Sequence, residues 1–215
     1  TVVVVNDAFR PVKSSLWLVH MVAEYVRLAH QLPSLATECT HRVLDLIKKY
    51  NAGVCQLILG AGAMQVSKLK SITAKHLCLA QQSISLLSAI LPHIQEGTCK
   101  LIEGPKHFLL TQEFDRLKKD LDLHKSEIHE KLVSIMRDRV SVHLQTLSSI
   151  VERTRAKQGE VLEVTVESDF AMALTKEMGT LRRVINELLS EDDCRDVLGR
   201  VRSESAASLT SYVRS

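Results

Sequence analysis

Aromatic residues make up only 4% of this 215-residue chain, and it holds just 8 glycines and 4 prolines. Sandwiches and barrels turn often and favour aromatic and β-branched residues, so so few turn formers disfavour both. No Cys-x-x-Cys pair occurs: Cys39, Cys55, Cys78, Cys99 and Cys194 stand far apart. That spread predicts small buried thiols in a reducing, cytosolic setting rather than a disulfide frame or a zinc ribbon. The net charge of +3 is too small to argue for nucleic acid, and no basic groove interleaved with aromatics is visible. A signal peptide is missing, and no apolar run is read as long enough to cross a bilayer. Gly-x-Ser-x-Gly and His-Glu-x-x-His are both absent. The chain begins at Thr1 rather than Met, which predicts a fragment or a processed product.

What is present is helix-forming. Leu, Ala, Ser, Glu, Gln, Lys and Arg are abundant, within 45% apolar and 25% charged content. Thr1 to Val5 is β-prone but isolated, and the residues up to Lys13 read as an extended tail and linker. Ser14 and Ser15 are placed to cap a helix with Leu16, Val19, Ala23, Val26 and Leu28 inward. Pro33 breaks it, and a second helix carries Leu35, Cys39, Val43, Leu46 and Ile47 until Asn51-Ala52-Gly53 ends or bends it. Thr73 caps a helix with Leu77, Leu79, Ile84, Leu87, Ile90 and Leu91, expected to stop between Pro92 and Gly97, before a loop over 97–105.

From Pro105 to Gln158 apolar residues recur at steps of three, four or seven, through Leu110, Phe114, Leu117, Leu121, Ile128, Leu132, Ile135, Val140, Leu144, Leu147 and Val151. This spacing predicts one amphipathic helix of about 65–75 Å. Gly159 and the alternation Val161 to Val166 suggest a short strand or extended crossover. Ser168 is read as the cap of a helix burying Phe170, Leu174, Met178, Leu181, Val184, Ile185, Leu188 and Leu189. Ser190 caps the last, where Glu191, Asp192 and Asp193 favour the helix N-terminus and Val197, Leu198, Val201 and Leu209 turn inward. The fold class expected is all-α: an elongated helical bundle or rod of about seven helices. A tail over 1–13 would precede a helical domain over 14–215, divisible into two stacked bundles near 157–167.

Candidate chemistry is sparse. Cys55 to Ile58, followed by Leu59-Gly60-Ala61-Gly62, looks like the opening of a dinucleotide site. The third glycine is replaced by Gln65, and no carboxylate follows near Leu79 to Ile84 to hold a ribose. The alternative is close packing, in which Gly60, Ala61, Gly62 and Ala63 let another helix approach. Nine histidines invite a metal, and His124, Glu127 and Glu130 share a rough face, but Glu-x-x-His is absent and no matching helix is evident. Lys68, Lys70 and Lys75 could touch acidic lipid at about 1 kcal/mol each; a solvated turn is the plainer reading. No catalytic residue, metal ligand or cofactor is expected, and the chain is read as non-enzymatic.

Two stretches carry a resemblance: Cys55 to Gln65 with Leu69 to Ala80, and Phe114 to Asp120 with His129 to Met136. With Val3 to Asp7 and Ser14 to Leu16, they resemble the C-terminal region of the vacuolar protein sorting-associated protein 54 family. Members are subunits of the Golgi-associated retrograde protein complex; the endosomal subunit syndetin is a second match. The resemblance implies a helical-rod vesicle tether in retrograde transport from endosomes to the trans-Golgi network. It implies a peripheral position on the cytosolic face of both compartments. The partners implied are other tethering subunits through N-terminal parts, an endosomal membrane or membrane-protein receptor, and SNAREs, but no nucleic acid.

Overall fold

The computed structural model describes residues 9–60, 72–156 and 165–214. They hold six α-helices: α1 (Lys13–Gln31), α2 (Ala36–Ile58), α3 (Ala74–Cys99), α4 (Pro105–Ala156), α5 (Thr165–Leu188) and α6 (Glu191–Arg214). A 3-10 turn, Pro33–Leu35, separates α1 from α2. No strand occurs among the described residues, as the composition predicts. The β-prone start, the residues from Ala61 to Ser71 and the segment 157–164 lie outside them. By its contacts the chain divides into two compact units, Thr1–Ile128 and His129–Ser215, and α4 contributes to each.

In the first unit α1, α2 and α3 pack against one another in pairs. The core is built from Leu18 and Val22 of α1, Val43, Leu44 and Ile47 of α2, Ile84 and Leu87 of α3, and Leu110, Phe114, Leu117 and Leu121 of α4. The buried face of α1 differs in part from the one expected: Val19, Val26 and Leu28 pack against the core as half-buried residues. Ser15, Leu18, Val22 and Ala29 are buried, whereas Leu16 and Ala23 are exposed. The steps three, four and seven hold, but from a different start, and small Ser15 and Ala29 let the neighbours close in. Ser15 also does not cap: the N-cap is Val12, and the Ser15 hydroxyl donates to the Val12 carbonyl at 2.7 Å. The linker is docked from α3, where Gln82 Oε1 accepts from Arg10 N at 3.1 Å and Ser83 Oγ from Val12 N at 3.2 Å.

Helix α2 does not end at Gly53 but runs to Ile58. Two contacts of its last two turns with α4 accompany this: Asn51 meets His124 and Cys55 meets Glu127. Tertiary contact outweighs the roughly 1 kcal/mol that a mid-helix glycine costs. Helix α3 likewise passes through Pro92 to Cys99. Pro92 lies on the exposed face, while Leu87, Ile90, Leu91 and Ile94 are buried on both sides of it. By length and composition α3 is apolar enough to cross a membrane, which the sequence reading did not expect. Some 67% of its apolar window is buried in the protein, which accounts for that composition.

Thr73 caps α3 as predicted. Its hydroxyl accepts from His76 N at 3.5 Å, and His76 Nδ1 accepts from Thr73 N at 3.2 Å, a reciprocal box with histidine in the usual Glu or Gln position. Thr73→Ala is expected to cost about 1 kcal/mol. Urea unfolding of the variant checks it; an unchanged midpoint would argue against the box. Between α3 and α4, Gly104 takes φ +69°, a left-handed conformation that leads into Pro105 at the first helical position.

The second unit packs the distal part of α4 with α5 and α6. Leu132, Val133, Met136 and Val140 of α4 are buried, as are Leu174, Leu181, Ile185 and Leu188 of α5, Leu189 just after it, and Val197 and Val201 of α6. Ile135, expected inward, is half-buried; Val133 and Met136 take its place. Ser168 is not the cap of α5, because the helix already begins at Thr165. Ser190 does cap α6: its hydroxyl accepts from Asp193 N at 3.3 Å.

Candidate functional site

The glycine segment divides at the edge of the described residues. Cys55 to Ile58 are the last turn of α2, so the strand that a dinucleotide fingerprint needs before its first glycine is replaced by helix. Gly60 follows the helix end, its N donating to Cys55 O at 3.1 Å. A Cβ at Gly60 would lie 2.7 Å from Gln56 O, so the turn off α2 itself demands glycine. Ala61, Gly62 and Ala63 lie outside the described residues, as do Lys68 and Lys70. Lys75 is exposed in the first turn of α3.

His124 and His129 of α4 face partners of their own. His124 is buried, with Nδ1 2.7 Å from Asn51 Oδ1, so the ring nitrogen donates to the amide carbonyl. Burial pushes the His124 ring below its ordinary pKa, against an opposing pull from Glu127. His129 is also buried, its Nδ1 2.9 Å from Asp196 and its Nε2 3.7 Å from Asp193. Glu130 instead turns to Arg137 and Arg200. His124, Glu127 and Glu130 therefore do not converge, and among the described residues no group of three metal-ligating side chains does.

The thiols are unsuited to nucleophilic work. Burial pushes Cys55, Cys99 and Cys194 upward; Glu127 adds to the effect at Cys55, and Asp193 and Glu191 add to it at Cys194. Thiols held protonated in this way are poor nucleophiles at neutral pH.

Charge is distributed unevenly in the second unit. Four acids of α5 and α6 are engaged by basic groups of α4, Asp193 by His129 among them. Glu177 meets Arg139 at 3.1 Å and His143 at 3.5 Å, Asp196 meets His129, and Glu204 meets Arg137 at 2.7 Å. The hydrogen bond from Arg137 holds the Glu204 carboxyl below its ordinary pKa. Elsewhere α5 and α6 form a cleft of about 540 Å³, lined by these two helices alone. Met178, Leu181, Leu198 and Val201 supply its apolar surface, and Arg182, Arg195 and Arg202 its charge. Clefts in the first unit are smaller, about 260 Å³ beside His41 and Glu113 and about 190 Å³ beside Tyr50 and His76.

Sequence reasoning marked Met178, Leu181, Leu198 and Val201 as core and passed over the cleft. A signal was available: Met178-Gly179-Thr180-Leu181-Arg182 and Leu198-Gly199-Arg200-Val201-Arg202 share the order apolar, Gly, any, apolar, Arg. His129 with Asp193 and Asp196 carried no such signal, because their pairing depends on how α6 folds back.

Known proteins match most of the chain. The chain is 38% identical over 206 residues to vacuolar protein sorting-associated protein 54, chloroplastic, of Arabidopsis thaliana, covering 94% of this chain and 20% of the plant protein. It is 30% identical over 201 residues to vacuolar protein sorting-associated protein 54 of Mus musculus, covering 94% of this chain and 19% of the mouse protein. For the Schizosaccharomyces pombe protein of that name the identity is 30% over 187 residues, covering 87% and 18%. The chain thus spans about a fifth of the length of these relatives, in their C-terminal part. No solved structure matches it. Residues 6–139 match the family described as Vps54-like protein, and the chain belongs to that family.

Proposed function

We propose that this chain is the C-terminal domain of a vesicle-tethering subunit acting in retrograde transport from endosomes to the trans-Golgi network. The observation that carries the reading is the family match over residues 6–139, extended by relatives that align with 94% of the chain. Its mode of action is binding rather than catalysis. Helices with buried cores present their outer faces as surfaces, and Cys39, Cys78, Cys99, His124 and His129 are buried in packing.

In this reading the rest of the subunit joins the other tethering subunits, and this domain engages an endosomal membrane or a receptor protein within it. SNARE proteins are further candidate partners. The domain works from the cytosolic face as a peripheral component. Acidic lipid contact through Lys68, Lys70 and Lys75 belongs to the same proposal, supported by the exposure of Lys75. Close helix packing through Ala61, Gly62 and Ala63 is likewise proposed.

Membrane partition tests this. The tagged chain is expected to sediment with endosome-enriched membranes and to be released by protease treatment of their surface or by high salt. Reversing the charge of the three lysines is expected to reduce the salt-sensitive fraction, because such contacts weaken with ionic strength. Recovery entirely in the soluble fraction, with or without membranes, would count against the membrane role.

A further inference from the structure

We propose that the cleft between α5 and α6 is a docking groove for an acidic amphipathic helix of a partner protein. The residues concerned, 175–202, lie beyond the family match over 6–139, and the inference rests on their geometry rather than on the tether reading.

Three observations converge on that occupant. The first is charge. Glu177, Asp193, Asp196 and Glu204 of α5 and α6 are taken up by Arg139, His129 and Arg137 of α4. Arg182 and Arg202 are left on the cleft with no ion pair to any described residue, and Arg195 meets only Asp192, through an exposed contact at 2.9 Å. A rim of guanidinium groups selects carboxylates, with which it forms paired hydrogen bonds.

The second is the glycines. Gly179 and Gly199 lie in helix interiors, where glycine is unfavourable, and a Cβ at either would meet nothing within 4 Å. Nothing inside the chain therefore requires them. Both line the cleft, where the missing side chains leave it open. A local rule broken without internal compensation points to a function at that place.

The third is shape and surface. The floor is apolar, from Met178, Leu181, Leu198 and Val201, and it runs between two helices in a cleft of about 540 Å³. A trough of this kind receives the apolar face of a third helix, with anchors at i, i+3, i+4 and i+7. Methionine at the contact adapts to varied side chains.

The test uses the whole chain and fluorescence anisotropy. The probe is a labelled designed helix of about 20 residues with leucine at i, i+3, i+4 and i+7 and glutamate on its flanks. A control probe carries lysine in place of every glutamate. The acidic probe should bind saturably and the lysine probe should not. Arg182→Glu with Arg202→Glu should weaken binding at least about ten-fold. Gly199→Leu should weaken it similarly by filling the groove, with helix content by circular dichroism unchanged, since the added side chain meets open space. Absence of saturable binding would overturn the proposal, as would equal affinity in parent and variants. So would capture of acidic-lipid vesicles through the same arginines without binding of the probe, or a dimer of the chain that excludes it.

Discussion

Phe114→Ala will destabilise the first unit by about 3–5 kcal/mol. Phe114 is 1% exposed on α4, inside the cluster formed with residues of α1, α2 and α3. Truncation removes the transfer energy of the ring and leaves a cavity that packed helices relax into only partly. In a chain of this size that corresponds to a fall in melting temperature on the order of 10 °C. Phe108, six positions earlier on the same helix, is 63% exposed and supplies the control. Phe108→Ala should shift stability by no more than about 0.5 kcal/mol. Differential scanning calorimetry of the pair checks both values. A Phe114→Ala protein melting with the parent would mean that α4 does not form the core assigned to it.

Asn51→Ala should cost about 1–3 kcal/mol at neutral pH, by stranding a buried ring nitrogen of His124. The Nε2 atom of His124 is already buried without a hydrogen-bond partner among the described residues, so Asn51 is the ring's recorded hydrogen-bond partner. Removing both polar groups, as in Asn51→Leu with His124→Leu, should recover much of the loss, because two apolar groups leave nothing unpaired. The pH dependence follows from burial. The unfolded chain takes up a proton at His124 near the ordinary value of 6.5, whereas the folded chain resists until lower pH. The stability contributed by the neutral ring is complete above 6.5. It is lost as the pH falls from there through the depressed folded value. Denaturant unfolding at about pH 7.5 and about pH 5 should show a smaller acid loss in the double variant than in the parent. Equal acid loss in the two would remove His124 from the explanation.

The features legible in the sequence were those written in local spacing. The stripe through Leu110, Phe114, Leu117 and Leu121 repeats for so many turns that α4 could be bounded closely, and Thr73 and Ser190 announce helix starts through a hydroxyl one residue before the helix. Where two local rules competed, the sequence misled. Gly53 and Pro92 punctuate helices on propensity alone, yet α2 passes through Gly53 with Asn51 and Cys55 in contact with α4, and α3 passes through Pro92 with Leu91 and Ile94 buried on either side. On α1, Leu16 and Ala23 offered a plausible apolar face, but the buried one runs through Ser15 and Ala29. A small residue can be core without being notably hydrophobic, and hydropathy does not register it.

The candidate sites were less legible for a different reason. Gly60 drew attention as part of a motif, and its geometry assigns it to the end of α2. The arginines of the cleft looked like ordinary solvated charges. Their meaning depends on where carboxylates of the same helices go, and Glu177, Asp196 and Glu204 go to partners on α4, from 34 to 67 residues distant in sequence. Long-range pairing of this kind leaves no periodic trace.

The proposed role as the C-terminal domain of a retrograde tether is tested most directly by replacement in cells. A full-length vacuolar protein sorting-associated protein 54 relative would carry this chain in place of its own corresponding region, in cells lacking the native protein. The measurement is the fraction of a recycling sorting receptor recovered at the trans-Golgi network. The chimaera should restore that fraction to near the native level, and the same chimaera carrying Phe114→Ala should restore much less. Equal recovery from a subunit lacking the region altogether would contradict the role, and so would no recovery from a chimaera that is folded and abundant.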